Sequence, residues 1–140
     1  MLANRLFLDS SFIIALSSDD DELHERALNV AEDLNKSGHA IVTTNAVLLE
    51  VGNAMSRKKY RRAATKLLEA IESDARIEII PVTETLFRDA LDLFKARNDK
   101  EWGLTDCASF VVMKDLGLSQ ALTADKHFKQ AGFEPVLLND

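Results

Sequence analysis

Three acidic residues stand where apolar segments of the chain begin or end, and a fourth lies within such a segment. Asp9 closes the run RLFLD, Asp106 heads the largely apolar stretch LTDCASFVVMKDLG, and Asp125 closes QALTAD. Glu50 lies on the apolar side of the segment VLLEVGNAM. Carboxylates that meet without cations suffer mutual repulsion and desolvation. A divalent cation relieves that cost, and oxygen ligands select the hard ions Mg²⁺ or Mn²⁺.

Each acid, taken alone, also has an ordinary structural interpretation. Asp106 is typical of a first-turn acid favoured by the helix dipole, and Asp9 could cap the helix that follows it. Asp125 could begin a turn, and Glu50 could pair with Arg57 on the same helix. Only a fold that brings the four acids together favours a metal site over these separate explanations.

The elements that would position these acids follow from the apolar pattern. Short apolar segments predict five strands, at 5–9, 40–44, 77–82, 120–125 and 135–138. Longer periodic segments predict helices at 11–18, at 20–38, from about 45, at about 59–74, after Thr83 and from Asp106 onward. The inward faces of two of these helices are predicted to carry Ala63, Leu67, Leu68 and Ile71 in one, and Leu86, Phe87, Ala90, Leu91 and Phe94 in the other.

Strands that alternate with helices predict βαβ units, and hence an α/β fold with a parallel sheet covered by helices on both faces. Ligands of such sheets bind outside the carboxyl ends of the strands, near a topological switch point. Asp9 and Asp125, which close two predicted strands, are therefore expected on one edge. Asp106, at the start of its helix, should open on the same edge.

Bulk properties set the remaining limits. A chain of 140 residues suits a single domain over 1–140. The net charge of −6 argues mildly against a protein that binds nucleic acid by bulk positive charge, but a local basic strip or bound cations would suffice. The sequence has no apolar run near the roughly 20 residues that span a bilayer and no signal-peptide pattern, so no membrane association and a cytoplasmic location are expected.

The segment SRKKYRR (56–62) is a concentrated basic stretch. Its Arg61 and Arg62 could neutralise RNA phosphates, and Tyr60 could stack on a base. The alternative is a solvated helix junction, or a face that pairs with acids.

Four motifs together resemble the PIN domain family, in particular the VapC-type toxins and their free-standing relatives. These motifs are FLDSSFIIAL, TTNAVLLEVGNAM, WGLTDCASFVVMKDLG and ALTADKHFKQAGFEPVLL, and they carry Asp9, Glu50, Asp106 and Asp125. The resemblance spans nearly the whole chain, and the last two motifs are the most specific. One departure is Gly103, where relatives often have serine.

The resemblance implies a three-layer α/β/α sandwich and a ribonuclease dependent on Mg²⁺ or Mn²⁺. Asp9 and Asp106 would be the principal metal ligands, Asp125 a further ligand or a water-mediated contact, and Glu50 would hold metal-bound water. Ser10 or Thr105 could orient a phosphate or a carboxylate through its hydroxyl group. The resemblance also implies a possible antitoxin partner and a homodimer. Three residues, Val47, Leu48 and Val51, could form the dimer face or belong to the core.

Other functions remain open on the sequence. A PIN-like module that binds RNA or protein without cleavage is the strongest alternative, although all four acids are present. A haloacid-dehalogenase-like phosphatase would need an acid where Ser11 stands. A receiver domain would need an early acidic pair, which this sequence lacks. Cys107 next to Asp106 has no activating base and is typical of a core residue. His127 has no metal-ligand spacing, so a local hydrogen bond is favoured over contact with RNA.

Overall fold

A parallel sheet of five strands organises the chain in the computed structural model, which describes residues 1–138. The strands are β1 Arg5–Leu8, β2 Ala40–Thr44, β3 Ile77–Ile80, β4 Gln120–Leu122 and β5 Glu134–Pro135. Their order in the sheet is β3-β2-β1-β4-β5, and every neighbouring pair is parallel. The strand order reverses beside β1, so the carboxyl ends of β1 and β4 form the topological switch point.

Seven helices connect and cover these strands in the described part of the chain. They are α1 Ser10–Ser17, α2 His24–Ser37, α3 Asn45–Ala54, α4 Lys58–Ser73, α5 Glu84–Ala96, α6 Leu104–Leu116 and α7 Lys126–Gln130. The hydroxyl groups of Thr44 and Thr83 cap α3 and α5 by accepting backbone N–H bonds. Gly117 ends α6 in the left-handed region, at φ 67°. Among residues 1–138, no helix has both the length and the hydropathy needed to cross a bilayer.

Helices lie on both faces of the sheet. Leu8 lines a cavity with residues of α1, α2 and α4, whereas the preceding Phe7 faces the opposite side. There Phe7 lies 6.3 Å from the ring of Phe128 in α7, which packs edge-on against Phe110 of α6 at 5.0 Å. Each fully buried side chain of this size contributes about 1.5–3 kcal/mol. The prediction of a three-layer α/β/α sandwich around a five-stranded parallel sheet is confirmed.

Several predicted boundaries were wrong by a few residues. Helix α2 begins at His24 instead of residue 20, because the Asp21 carboxylate accepts the Leu23 N–H at 2.8 Å and holds a turn there. Strand β4 ends at Leu122, which leaves Asp125 in the loop that follows. Strand β5 covers Glu134–Pro135 instead of 135–138, and the Leu137 N–H still bonds beside β4, to the Thr123 carbonyl at 3.0 Å. Helix α7 was not predicted at all.

Some predicted buried faces were also wrong. Ala63 is exposed and its neighbour Ala64 is buried, a shift of one position around α4. Phe87 and Phe94 of α5 are 43% and 45% exposed. In contrast, the possible dimer face on α3 lies inside the molecule, since Val47 and Val51 are both 0% exposed. The core interpretation of those two residues is the correct one.

Candidate active site

Asp9 follows β1 directly and is buried, with 4% of its surface exposed. It occupies the N-cap position of α1, but its side chain makes no capping bond. Instead, one carboxylate oxygen, Oδ2, accepts hydrogen bonds from the hydroxyl groups of Thr123 at 2.7 Å and Ser11 at 3.2 Å. The interpretation of Asp9 as a simple cap is therefore wrong, and its side chain is aimed across the sheet edge towards the end of β4.

Two hydroxyl groups tie the ends of β1 and β4 together. Ser11 Oγ and Thr123 Oγ1 lie 2.9 Å apart, and Ser11 Oγ accepts the Ala124 N–H at 3.0 Å. Thr123 Oγ1 accepts the Asp125 N–H, also at 3.0 Å. The backbone of the loop 123–125 is thus fixed against Asp9, as a site at a switch point requires.

Asp106 and Asp125 lie at the starts of two helices. Asp106 sits in the first turn of α6, where its Oδ2 accepts the Gly103 N–H at 3.0 Å. Asp125 caps α7 by accepting the His127 N–H at 2.8 Å. The His127 ring nitrogen Nδ1 lies 3.2 Å from Asp106 Oδ2 and 3.4 Å from Asp125 Oδ1. The favoured interpretation of His127, a local hydrogen bond, is therefore correct.

Glu50 joins the other acids from α3. Its Oε1 accepts a hydrogen bond from the Ser10 hydroxyl group at 3.0 Å. The alternative pairing with Arg57 is not formed within residues 1–138. Four elements thus deliver four carboxylates to the carboxyl edge of the sheet.

The electrostatics of the site follow from this convergence. Burial raises the pKa of Asp9, and the charge of Asp106 raises it further against the opposing Thr123 hydrogen bond. Burial likewise raises the pKa of Asp106, and the charge of Asp125 adds to the effect. Burial also raises the pKa of Glu50, as do the charges of all three aspartates. Removing water and gathering like charges both penalise the ionised forms.

The donor atoms fit a divalent cation. Ligand atoms of Asp106, Asp125 and His127 all lie within 4.8 Å of one another, and Asp9 lies outside that group. A cation would offset the repulsion that raises the pKa values of Asp9, Glu50 and Asp106. Oxygen-rich ligation suits Mg²⁺, and an added imidazole nitrogen is compatible with Mn²⁺. Where only the carboxylates bind, His127 would hold them in position from outside.

The structure brings some of the predicted substrate-binding residues to this edge and not others. Ser10 contacts the Glu50 carboxylate, and Thr105 lies in α6 beside Asp106. Arg61 and Arg62 are exposed on α4, and Arg61 donates a hydrogen bond to the Ser56 carbonyl at 2.9 Å. Neither arginine bonds any of the four acids within the described chain, and contact of these residues with RNA stays a prediction.

Sequence reasoning missed the roles of Ser11 and Thr123 in the site, and for His127 it predicted a local hydrogen bond without identifying Asp106 as a partner. Ser11 and Thr123 orient Asp9, and His127 bridges Asp106 and Asp125. Thr123 could have been found from its place at the end of β4, where its side chain alternates with that of Leu122. Cys107, next to the site, is fully buried, and burial together with the Asp106 charge raises the pKa of its thiol. A thiol in that state is a poor nucleophile, in agreement with the core interpretation.

A parallel α/β/α sandwich with carboxylates converging at its switch point defines a class of acidic, metal-binding α/β domains. The family model of the PIN domain matches residues 6–134, and the chain belongs to the PIN domain family. The 23S rRNA-specific endonuclease VapC20 of Mycobacterium tuberculosis is 29% identical over 131 residues, which cover 94% of this chain and 97% of the relative. A VapC ribonuclease of Aquifex aeolicus is 22% identical over 130 residues, 92% of this chain and 93% of the relative.

Solved structures agree with this assignment. The crystal structure of M. tuberculosis VapC20, described as a sarcin-ricin loop cleaving toxin, superposes with a TM-score of 0.80 at 29% identity, covering 91% of this chain and 95% of that one. VapBC2 of Rickettsia felis, solved with a DNA fragment from its promoter, gives a TM-score of 0.68 at 17% identity, covering 94% and 96%. The second likeness supports the fold alone.

Proposed function

We propose that this protein is a metal-dependent endoribonuclease that hydrolyses RNA phosphodiester bonds, and that it is the toxin of a type II toxin–antitoxin pair. The observation that carries the proposal is the convergence of four carboxylates from four elements on the switch point. The named activity of its VapC relatives supports RNA as the substrate. A cytoplasmic location and a single domain over 1–140 complete the proposal, with residues 139–140 outside the described chain.

The ion is Mg²⁺ or Mn²⁺, held by Asp106 and Asp125 with Asp9 beside them. When bound, it supplies Lewis-acid chemistry by lowering the pKa of water and neutralising charge at phosphorus. Glu50, whose pKa is raised by burial, is suited to receive a proton from the attacking water. The Ser10 hydroxyl group keeps the Glu50 carboxylate in place. Thr105, in the first turn of α6, would orient a substrate phosphate through its hydroxyl group.

The protein acts as a homodimer in this proposal. The exposed aromatic side chains of α5, Phe87 and Phe94, are spaced seven residues apart and so share one helix face, with the half-buried Leu91 between them. Leu49 of α3 is 68% exposed. Apolar side chains of this size on an outer surface support an interface with a second copy. The antitoxin would neutralise the acidic edge with a basic side chain.

Cleavage of labelled RNA in Mg²⁺, with an EDTA control, tests the proposal. Asp106→Asn should abolish most of the metal-dependent cleavage, because a neutral amide is a weaker ligand. Asp115→Asn is the matched control, since Asp115 is an exposed acid on the same helix α6. Sequencing of cellular RNA ends after induced expression would then identify the target.

The alternative function is a PIN-like module that binds RNA or protein and is catalytically silent. A thermal-shift measurement of Mn²⁺ binding, combined with the cleavage assay, separates the two functions. Binding of Mn²⁺ by the wild type with no cleavage of any RNA would favour the silent module, and equal cleavage by wild type and Asp106→Asn would refute the acidic site.

A further inference from the structure

A second polar feature lies outside the acidic site, at the end of α5. The Arg97 guanidinium group lies over the Trp102 ring, 4.9 Å from its centroid. Two bonds from Arg97 to the Asp99 carboxylate, at 3.0 and 3.2 Å, hold the guanidinium in a fixed orientation. Trp102 is 5% exposed, and its Nε1 donates a hydrogen bond to Gln130 Oε1 at 2.9 Å. The guanidinium is therefore restrained between the Asp99 carboxylate and the Trp102 ring.

Two surface cavities border this Arg97–Trp102 pair. One, of about 470 Å³, is walled by Phe110 and Phe133 and has Lys114 on its lining. The other, of about 380 Å³, includes Lys100. Arg97 and Trp102 contribute to both linings. Aromatic walls and cations thus occur together around one planar group, in a protein whose overall charge is −6.

The pair is close to the acidic site along the chain. Trp102 immediately precedes Gly103, whose N–H bonds Asp106. Gln130, the partner of Trp102, lies in α7 one turn beyond His127. Lys114 lies eight residues beyond Asp106 on α6, about 12 Å along the helix axis at 1.5 Å per residue.

We propose that Arg97, held over Trp102, is a stacking platform for one unpaired base of the RNA substrate, near the bond that is cut. The proposal rests on the ribonuclease function and names a specificity subsite for it. Unpaired bases stack on guanidinium planes, and Lys100 and Lys114 supply nearby cations for the phosphates on either side. An acidic peptide would use the same cations, but the Nε–Nη2 edge of Arg97 that a peptide carboxylate would bind is already bonded to Asp99.

The test combines protein variants with substrate variants. The substrate is a single-stranded oligoribonucleotide that the protein cleaves, with each nucleotide near the cut replaced in turn by an abasic residue. Arg97→Lys keeps the charge and removes the plane. Arg88→Lys, at another arginine of α5, is the matched control. Asp99→Asn leaves both Arg97 and Trp102 in place but loosens the guanidinium, which guards against a folding defect in Arg97→Lys.

We expect Arg97→Lys to raise KM on the order of 10-fold, as loss of one stacked base does, with little change in kcat. One abasic position should raise the wild-type KM by a similar factor and add nothing further in Arg97→Lys, because both changes remove the same contact. Asp99→Asn should raise KM less. Trp102 is the only tryptophan of the sequence, so its fluorescence should respond to the intact oligonucleotide and not to that abasic one.

A KM for Arg97→Lys equal to that of Arg88→Lys would overturn the subsite. Additive effects of the abasic residue and Arg97→Lys on KM would also overturn it. If Arg97→Lys instead weakened only the binding of an antitoxin peptide, the Arg97–Trp102 pair would belong to the site of a protein partner. Failure of the ribonuclease function has a different signature, namely no cleavage of any RNA. In that case, a saturable change in Trp102 fluorescence with an uncleaved oligoribonucleotide, absent in Arg97→Lys, would still support base stacking.

Discussion

The acidic edge has two halves that are held in different ways. In the strand-end half, Asp9 is buried in the sheet and is positioned by the side-chain hydroxyl groups of Ser11 and Thr123. In the helix-start half, Asp106 and Asp125 are half-buried and are positioned by backbone N–H groups. The His127 ring connects the two carboxylates of that half.

Because of this difference, the electrostatic cost of ionisation falls mainly on Asp9, whereas the geometry of a metal site is provided by Asp106 and Asp125. Asp9 loses most of its solvent, and its side chain makes no capping bond to α1. The helix-start acids lie in the positive field of α6 and α7 and keep access to water. The helix-start half is thus suited to hold the ion. The strand-end half contributes the buried negative charge of Asp9, which the ion would neutralise.

The largest effect should come from Asp9→Asn. If both halves form one site, loss of the Asp9 charge lowers Mg²⁺-dependent cleavage on the order of 10³-fold, several kcal/mol of transition-state stabilisation. Initial cleavage rates at saturating Mg²⁺ measure the effect. Wild-type rates in Asp9→Asn would mean that the helix-start half works alone.

His127→Ala probes the connection within the helix-start half. Loss of the imidazole that bridges Asp106 and Asp125 should weaken Mn²⁺ binding by about 10–100-fold. Calorimetric titration with Mn²⁺ measures the affinity. His39→Ala is the control, since His39 bonds the Ala3 carbonyl far from the acids; equal affinities in the two variants would remove His127 from the site.

In the absence of metal, neutralising an acid in either half should raise the Tm, but to different degrees. Asp9→Asn should raise the Tm in EDTA by several degrees, since about 1 kcal/mol corresponds to roughly 3–5 °C in a domain of this size. Asp106→Asn should raise the Tm less, because Asp106 is better solvated and its carboxylate also accepts a hydrogen bond from the Gly103 N–H. Thermal unfolding of both variants measures the two changes in Tm. A larger rise in Asp106→Asn than in Asp9→Asn would contradict the prediction.

The same charges set a pH dependence. Burial raises the folded-state pKa of Asp9 above its ordinary value of 3.8, so the folded protein binds the proton more tightly than the unfolded chain does. Its contribution to stability is therefore full below 3.8 and is lost as the pH rises through the folded-state pKa. We expect the Tm advantage of Asp9→Asn over wild type in EDTA to grow as the pH rises, and to shrink in Mg²⁺. A pH-independent difference would contradict the assignment of the cost to this carboxylate.

The smallest effect is expected at Gly103. Its φ of −73° is open to any residue, and an added Cβ would lie 3.8 Å from Asp106 Oδ2, an ordinary contact. Gly103→Ser should therefore be tolerated and should stabilise α6 by a few tenths of a kcal/mol through a better N-cap. Urea unfolding measures the gain, and loss of cleavage in this variant would show that the helix-start half needs the glycine.

The convergence of Asp9 and Asp125 was predictable because a physical rule connects the two residues. Apolar runs that end in Asp9 and near Asp125 fix strand ends, and the carboxyl edge of a parallel sheet gathers whatever follows them. The match of the PIN family model confirms the family resemblance that these motifs carried.

Other features left no such trace in the sequence. Helix α7 has five residues, too few to show a period. Phe87 and Phe94 lie on an apolar stripe of α5, but a stripe does not say whether the sheet or another molecule covers it. The His127 contacts depend on how α6 and α7 approach each other, which sequence spacing does not encode.

The position of β1 in the middle of the sheet also has a consequence for synthesis. The hydrogen bond from Thr123 to Asp9 joins residues 114 positions apart. A chain still emerging from the ribosome holds β1, β2 and β3 long before β4 exists. The acidic edge can therefore assemble only after β4 and the loop 123–125 have been synthesised, so Asp9 lacks its hydrogen-bond partner Thr123 through most of synthesis.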